Sequence, residues 1–71
     1  MEKLTLKDEY IKLGQALKAA GLVESGVEAK YAVQDGLVYV NGEVELRRGR
    51  KLYDKDVFTY QGNQVRIEES V

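Results

Sequence analysis

Leu4 and Leu6 alternate with the polar Lys3, Thr5 and Lys7, and a period of two predicts a short first strand. The period then lengthens. Tyr10, Leu13, Leu17 and Ala20 recur at helical spacing between Asp8, a suitable N-cap, and Gly21, a suitable C′ stop, so a first helix is expected over about residues 9–20. After Leu22-Val23-Glu24, the stretch Ser25-Gly26-Val27-Glu28 has the form of a capping box: the Ser25 hydroxyl accepts the Glu28 amide and the Glu28 carboxylate reaches back. The helix it opens is short and ends at Gly36. Ala29, Ala32 and Val33 share one of its faces, and side chains that small allow close approach to the first helix.

From Leu37 the period is again two, with Val38 and Val40 on one face of a strand and Leu37 and Tyr39 on the other. Asn41-Gly42 predicts a type I′ hairpin turn, which needs positive φ at both central residues, and Glu43 to Leu46 return antiparallel. Leu52-Tyr53, a polar turn at Asp54-Lys55-Asp56, a strand Val57 to Tyr60, a Gly62-Asn63 turn and a last strand through Val65 and Ile67 complete a β-αα-ββ-ββ layout. Residues 68–71 are expected to fray. Tyr31 is expected to pack through its ring, and Tyr39, Tyr53 and Tyr60 to be sheet residues.

Composition narrows the chemistry. Seventy-one residues give one small domain, residues 1–71. The sequence has no cysteine and no histidine, which removes thiol nucleophiles, disulfides, Ser-His-Asp triads, imidazole acid–base catalysis and ordinary zinc sites. No apolar segment behind a basic start marks a signal peptide, and the longest apolar run, Leu37 to Val40, is too short to span a bilayer; a cytoplasmic protein without a membrane partner is expected.

Net charge is −1, but it is unevenly spread. Residues 47–55 carry five basic groups and one acidic, whereas both flanking segments are net negative. Arg47, Arg48, Arg50 and Lys51 thus crowd around Gly49, and like charges so close repel unless an anion is near. Such a run is either a solvated loop or an anion site. Beside a helix N-terminus, whose free amides carry partial positive charge, it would favour phosphate. Four phosphate contacts would give a salt slope near −4, roughly a 100-fold fall in affinity between 50 and 200 mM salt. This reading requires the four cations to lie on one side of the molecule and free of internal carboxylate partners.

Ser25-Gly-Val-Glu28-Ala29-Lys30, then Gly36, then Val38-Tyr-Val40-Asn41-Gly42, then the arginine-rich segment, then Lys55-Asp56-Val57, resembles the αL RNA-binding domain named after small-subunit ribosomal protein S-four. The match covers about residues 10–60 and is nearest to the small stand-alone bacterial members. With the layout above it implies an α+β αL fold, two short helices packed on a small antiparallel sheet of four to five strands. It also implies recognition of structured RNA, ribosomal RNA or a ribosome-assembly intermediate, with no cofactor, no metal and no small-molecule substrate. Carried over by position, the RNA-binding residues are Arg47, Arg48, Arg50, Lys51, Lys30, Ser25, Asn41 and Gly42. The sequence departs from the family pattern at two places. Gly26 and Val27 follow Ser25 where a basic residue is usual, leaving only backbone amides there, and Lys55 replaces the glycine of Gly-Asp, requiring either a left-handed lysine or a different turn.

Each residue also has a plainer reading. Ser25 and Glu28 are explained by the cap, Asn41 and Gly42 by the turn, and Lys30 by a solvated helix face opposite the apolar one. Asp54 and Asp56 are turn carboxylates, since a calcium loop fails at Val57, and no Walker or dinucleotide glycine loop exists. The chain is therefore read as non-catalytic. The alternative to RNA is a protein-interaction module docking an acidic partner through the same basic loop.

Overall fold

The computed structural model describes residues 1–70. In chain order the elements are β1 (Glu2–Leu6), β2 (Ile11–Lys12), α1 (Leu13–Ala19), α2 (Gly26–Gln34), β3 (Val38–Val40), β4 (Glu43–Val44), β5 (Lys51–Leu52), β6 (Val57–Tyr60) and β7 (Asn63–Glu69). Five strands form one sheet in the order β1-β7-β6-β3-β4, and β2 with β5 forms a separate two-stranded ribbon. The α+β architecture of two short helices on a five-stranded sheet is as the layout and the resemblance imply. All sheet pairs are antiparallel except β1 with β7, which run parallel from Glu2↔Val65 to Leu6↔Glu69.

The alternation read from the sequence sorts the sheet's two faces. Val38, Val40, Phe58, Tyr60, Val65 and Ile67 point to one side and are buried against Leu13, Ala16 and Leu17 of α1 and Ala29, Ala32 and Val33 of α2. Tyr39, Thr59 and Gln64 form a cross-strand row on the other side. Both helices end as expected, in Schellman motifs. Gly21 (φ +76°) and Gly36 (φ +75°) take the left-handed position; the amides of Leu22 and Leu37 reach back to the carbonyls of Leu17 and Ala32.

The first helix begins later than expected. Asp8 is not its cap. Residues 11 and 12 are extended because they pair with Leu52 and Lys51, and α1 starts at Leu13 with Lys12 as an N-cap that makes no side-chain bond. Its first amides are satisfied from far along the chain: Leu13 N–H donates to the Arg50 carbonyl at 2.8 Å and Gly14 N–H to the Arg48 carbonyl at 3.0 Å. Tertiary pairing has overridden local propensity.

The second hairpin turn lies one residue earlier than expected, at Gln61 (φ +51°) and Gly62 (φ +79°), with Tyr60 opposite Asn63. Glu68 and Glu69 do not fray, because they pair with Thr5 and Leu6 of β1; Val71, also expected to fray, lies outside the described residues. The return strand after Asn41-Gly42 pairs through Glu43 and Val44, and beyond it Glu45 N–H donates to the Val38 carbonyl at 2.9 Å before the chain leaves the sheet.

Candidate nucleic-acid interface

The basic loop is fastened at its base. The ribbon of β2 and β5 holds Lys51, and the two carbonyl bonds to Leu13 and Gly14 seat Arg48 and Arg50 on the start of α1. Gly14 makes this approach possible, because a Cβ there would stand 2.6 Å from Cγ of Arg48.

Within the loop the requirement for unpartnered cations fails at two positions. Glu45 is buried, its side chain 7% exposed, and its carboxylate binds two of the four. Arg47 donates from Nε to Oε2 at 3.0 Å, from Nη2 to Oε1 at 3.3 Å and from its backbone amide to Oε2 at 3.0 Å; Arg50 donates from Nη1 to Oε1 at 2.9 Å. The hydrogen bonds from Arg47, with the one from Arg50, hold the Glu45 carboxyl down at about 2 against the opposing effect of its burial, and Glu45 in turn raises the Arg47 guanidinium. The picture of four independent cations is corrected accordingly. Arg47 nonetheless keeps a side chain 74% exposed and Arg50 one 32% exposed. Each guanidinium has five N–H donors, and of these Arg47 gives two to Glu45 and Arg50 one, so both can still meet an external anion.

Among the described residues Arg48 and Lys51 have no such partner. The Arg48 stem lies over Gly14. The Lys51 ammonium sits 4.7 Å from the centroid of Tyr10, whose ring packs against Tyr53 at 5.9 Å.

Arg48 also lines a groove of about 370 Å³ with Lys12, Gly14, Gln15, Lys18, Gly26 and Gly49. This assembles three cations, from three separate elements, beside the first residue of α2. Positive charge thus lies beside the start of α2, where Gly26 and Val27 bring none, and comes from β2, α1 and the loop. Through Gly49 the groove adjoins a shallower concavity of about 570 Å³ bordered by Arg47, Arg50 and Lys51. Lys12 and Lys18 were not among the residues singled out from the sequence. The available signal was Gly14, a poor helix residue that marks a close approach, with Lys18 one turn further on the same face.

The other candidates fall outside the groove lining. The Ser25 hydroxyl accepts the Glu28 amide at 3.1 Å as expected, while the Glu28 carboxylate reaches to the Glu24 amide at 2.6 Å. Lys30 is exposed on α2, four residues past Gly26 and so on the same helix face. Asn41 uses both ends of its amide internally: Nδ2 donates to Asp56 at 3.1 Å and Oδ1 accepts from Val57 N–H at 3.0 Å. It ties the hairpin turn to the start of β6, and Gly42 (φ +86°) completes that turn. Lys55 does adopt the left-handed conformation, at φ +76°. Tyr31 does not pack as expected; it is 57% exposed.

Among the described residues no three His, Cys, Asp or Glu side chains converge as a metal site would need, and no helix is long and apolar enough to cross a membrane. Two helices packed on one face of a five-stranded sheet, with a basic loop hydrogen-bonded to the start of the first, make up the frame of this site. The chain belongs to the S4 domain family, whose model matches residues 4–68. It is 44% identical over 59 residues, 83% of either chain, to the "Probable ribosome maturation protein RlbA" of Bacillus subtilis (strain 168). It is 34% identical over 61 residues, 86% of this chain and 87% of the relative, to the "Putative RNA-binding protein YbcJ" of Escherichia coli (strain K12). The solution structure of YbcJ, described as revealing an αL motif involved in RNA binding, superposes with a TM-score of 0.74 at 33% identity over 96% of this chain and 87% of that one.

Proposed function

We propose that this chain, as a single domain over residues 1–71 with its αL core at about 10–60, is a non-catalytic, cytoplasmic RNA-binding protein. Its target in this reading is structured ribosomal RNA or a ribosome-assembly intermediate. The observation that carries it is the groove where Lys12, Lys18 and Arg48 converge beside the start of α2 and continue over Gly49 to Arg47, Arg50 and Lys51. A confined basic surface on a body of net charge −1 suits docking of one folded RNA face rather than indiscriminate coating. The names of the relatives support the same class of ligand. Lys30, on the Gly26 face of α2, would extend the contact, while Ser25, Asn41 and Gly42 contribute by holding backbone in place.

Lys12 and Lys18 are exposed and, among the described residues, bridge to no carboxylate, so they test the reading with little disturbance of the fold. The double variant Lys12→Glu/Lys18→Glu should weaken filter binding to purified bacterial ribosomal RNA at least about 10-fold, each reversal replacing an attraction to phosphate with a repulsion. Its circular dichroism spectrum should remain that of the wild type. Unchanged retention of RNA would overturn the reading, and capture of an acidic protein that survives ribonuclease would favour the interaction module instead.

A further inference from the structure

Resting on the RNA-binding reading, we propose that Glu45 is a positioning residue: it holds Arg47 and Arg50 in one fixed array, with their unspent N–H donors turned outward to successive phosphates. At first sight a carboxylate under an anion site is the wrong charge. Four features make sense of it. The Glu45 backbone is fixed beside the sheet by the hydrogen bond from its amide to the Val38 carbonyl, and its side chain is buried, so the carboxylate is a fixed post. Both its oxygens are fully engaged, each accepting two of the four bonds from Arg47 and Arg50. Arg47 turns its Nε–Nη2 edge to Glu45, which leaves the opposite, terminal edge of the guanidinium for a second bidentate contact. Stability alone does not account for the arrangement, because the guanidinium partners stay in contact with solvent, Arg47 most of all, and ion pairs with an exposed partner contribute little to folding.

What the post supplies is order before binding. Immobilising a long side chain at an interface has an entropic cost, and here two arginines that would otherwise repel and sample many rotamers are already placed. Arg48 lines the groove, while Arg47 and Arg50 border the adjoining concavity with Lys51.

The substitution Glu45→Gln separates this from simple electrostatics, because the two views predict opposite signs. Removing a negative charge from a basic surface should tighten RNA binding if charge alone matters. Loss of the array should instead weaken filter binding of purified bacterial ribosomal RNA about 5- to 10-fold, with the salt slope little changed. Arg47→Lys supports the same point at constant charge: a lysine cannot make the bidentate contact, and a several-fold loss is expected. Thermal melting and circular dichroism establish that the variants are folded; should Glu45→Gln not fold, Glu45→Asp, which keeps the charge but draws the carboxylate back from both arginines, is expected to show the same several-fold loss and decides in its place. Affinity that stays equal or rises in the folded variants overturns the positioning role while leaving the RNA reading intact. Wild-type protein that fails to bind RNA at all overturns both.

Discussion

A carboxylate buried beneath two guanidinium groups leaves a signature in the pH dependence of stability. The Glu45 carboxyl titrates at about 2 in the folded chain against an ordinary value of 4.5. Folding therefore favours its charged form, and the contribution is present above about pH 4.5 and is lost as pH falls from there towards 2. Glu45→Gln should show a shallower fall in melting temperature across that window than the wild type, and parallel curves would contradict the ion pair. This residue was hidden in the sequence. In Glu43-Val44-Glu45-Leu46 a period-two reading turns the apolar Val44 and Leu46 inward, yet both are exposed and Glu45 is the one buried. Two arginines two and five positions later make that inversion tolerable, and neither lies within a local pattern that a strand reading weighs. Gly21, Gly36 and Asn41-Gly42, by contrast, were legible because each has a backbone conformation that few residues accept.

Among the elements, α2 was readable and α1 only half so. The cap, the apolar face and the terminal glycine of α2 are all encoded within its own dozen residues. The start of α1 is determined by carbonyls of Arg48 and Arg50, more than thirty positions away, and by strand pairing with Lys51 and Leu52. Nothing near Asp8 reveals that. The same contact makes Gly14 a sensitive point. Gly14→Ala gains about 1 kcal/mol of helix propensity but drives a methyl group into the Arg48 stem. We expect a melting temperature within a few degrees of the wild type together with RNA affinity reduced several-fold, read by thermal denaturation and filter binding on the same preparation. A loss of stability without a loss of affinity would show that Arg48 is placed by something other than this contact.

For the molecule as a whole, the order of elements and the alternation of the strands were enough for the fold class, but not for the parallel edge. A strand at the beginning of the chain offers no local sign of whether it joins β4 or β7, or in which direction. Size sets the tolerance to damage. The folded surface is 4701 Å², and the extended chain would expose ~11,600 Å², so about 60% is removed from water, near the minimum for an independent core. Phe58 is the largest fully buried side chain. Phe58→Ala should cost about 3–5 kcal/mol, a large part of the stability available to a chain this small, and leave much of the protein unfolded at 37 °C by circular dichroism. A cooperative transition unchanged from the wild type would refute the central place assigned to that ring.

The long reach of the carbonyls that cap α1 has a consequence for biosynthesis. During translation the segment Leu13–Ala19 emerges well before Arg48 and Arg50, and its leading amides must stay hydrated until those residues are made. The start of the first helix and the basic loop consequently mature in a single late event, so a nascent chain that stalls short of residue 50 has neither in its final form.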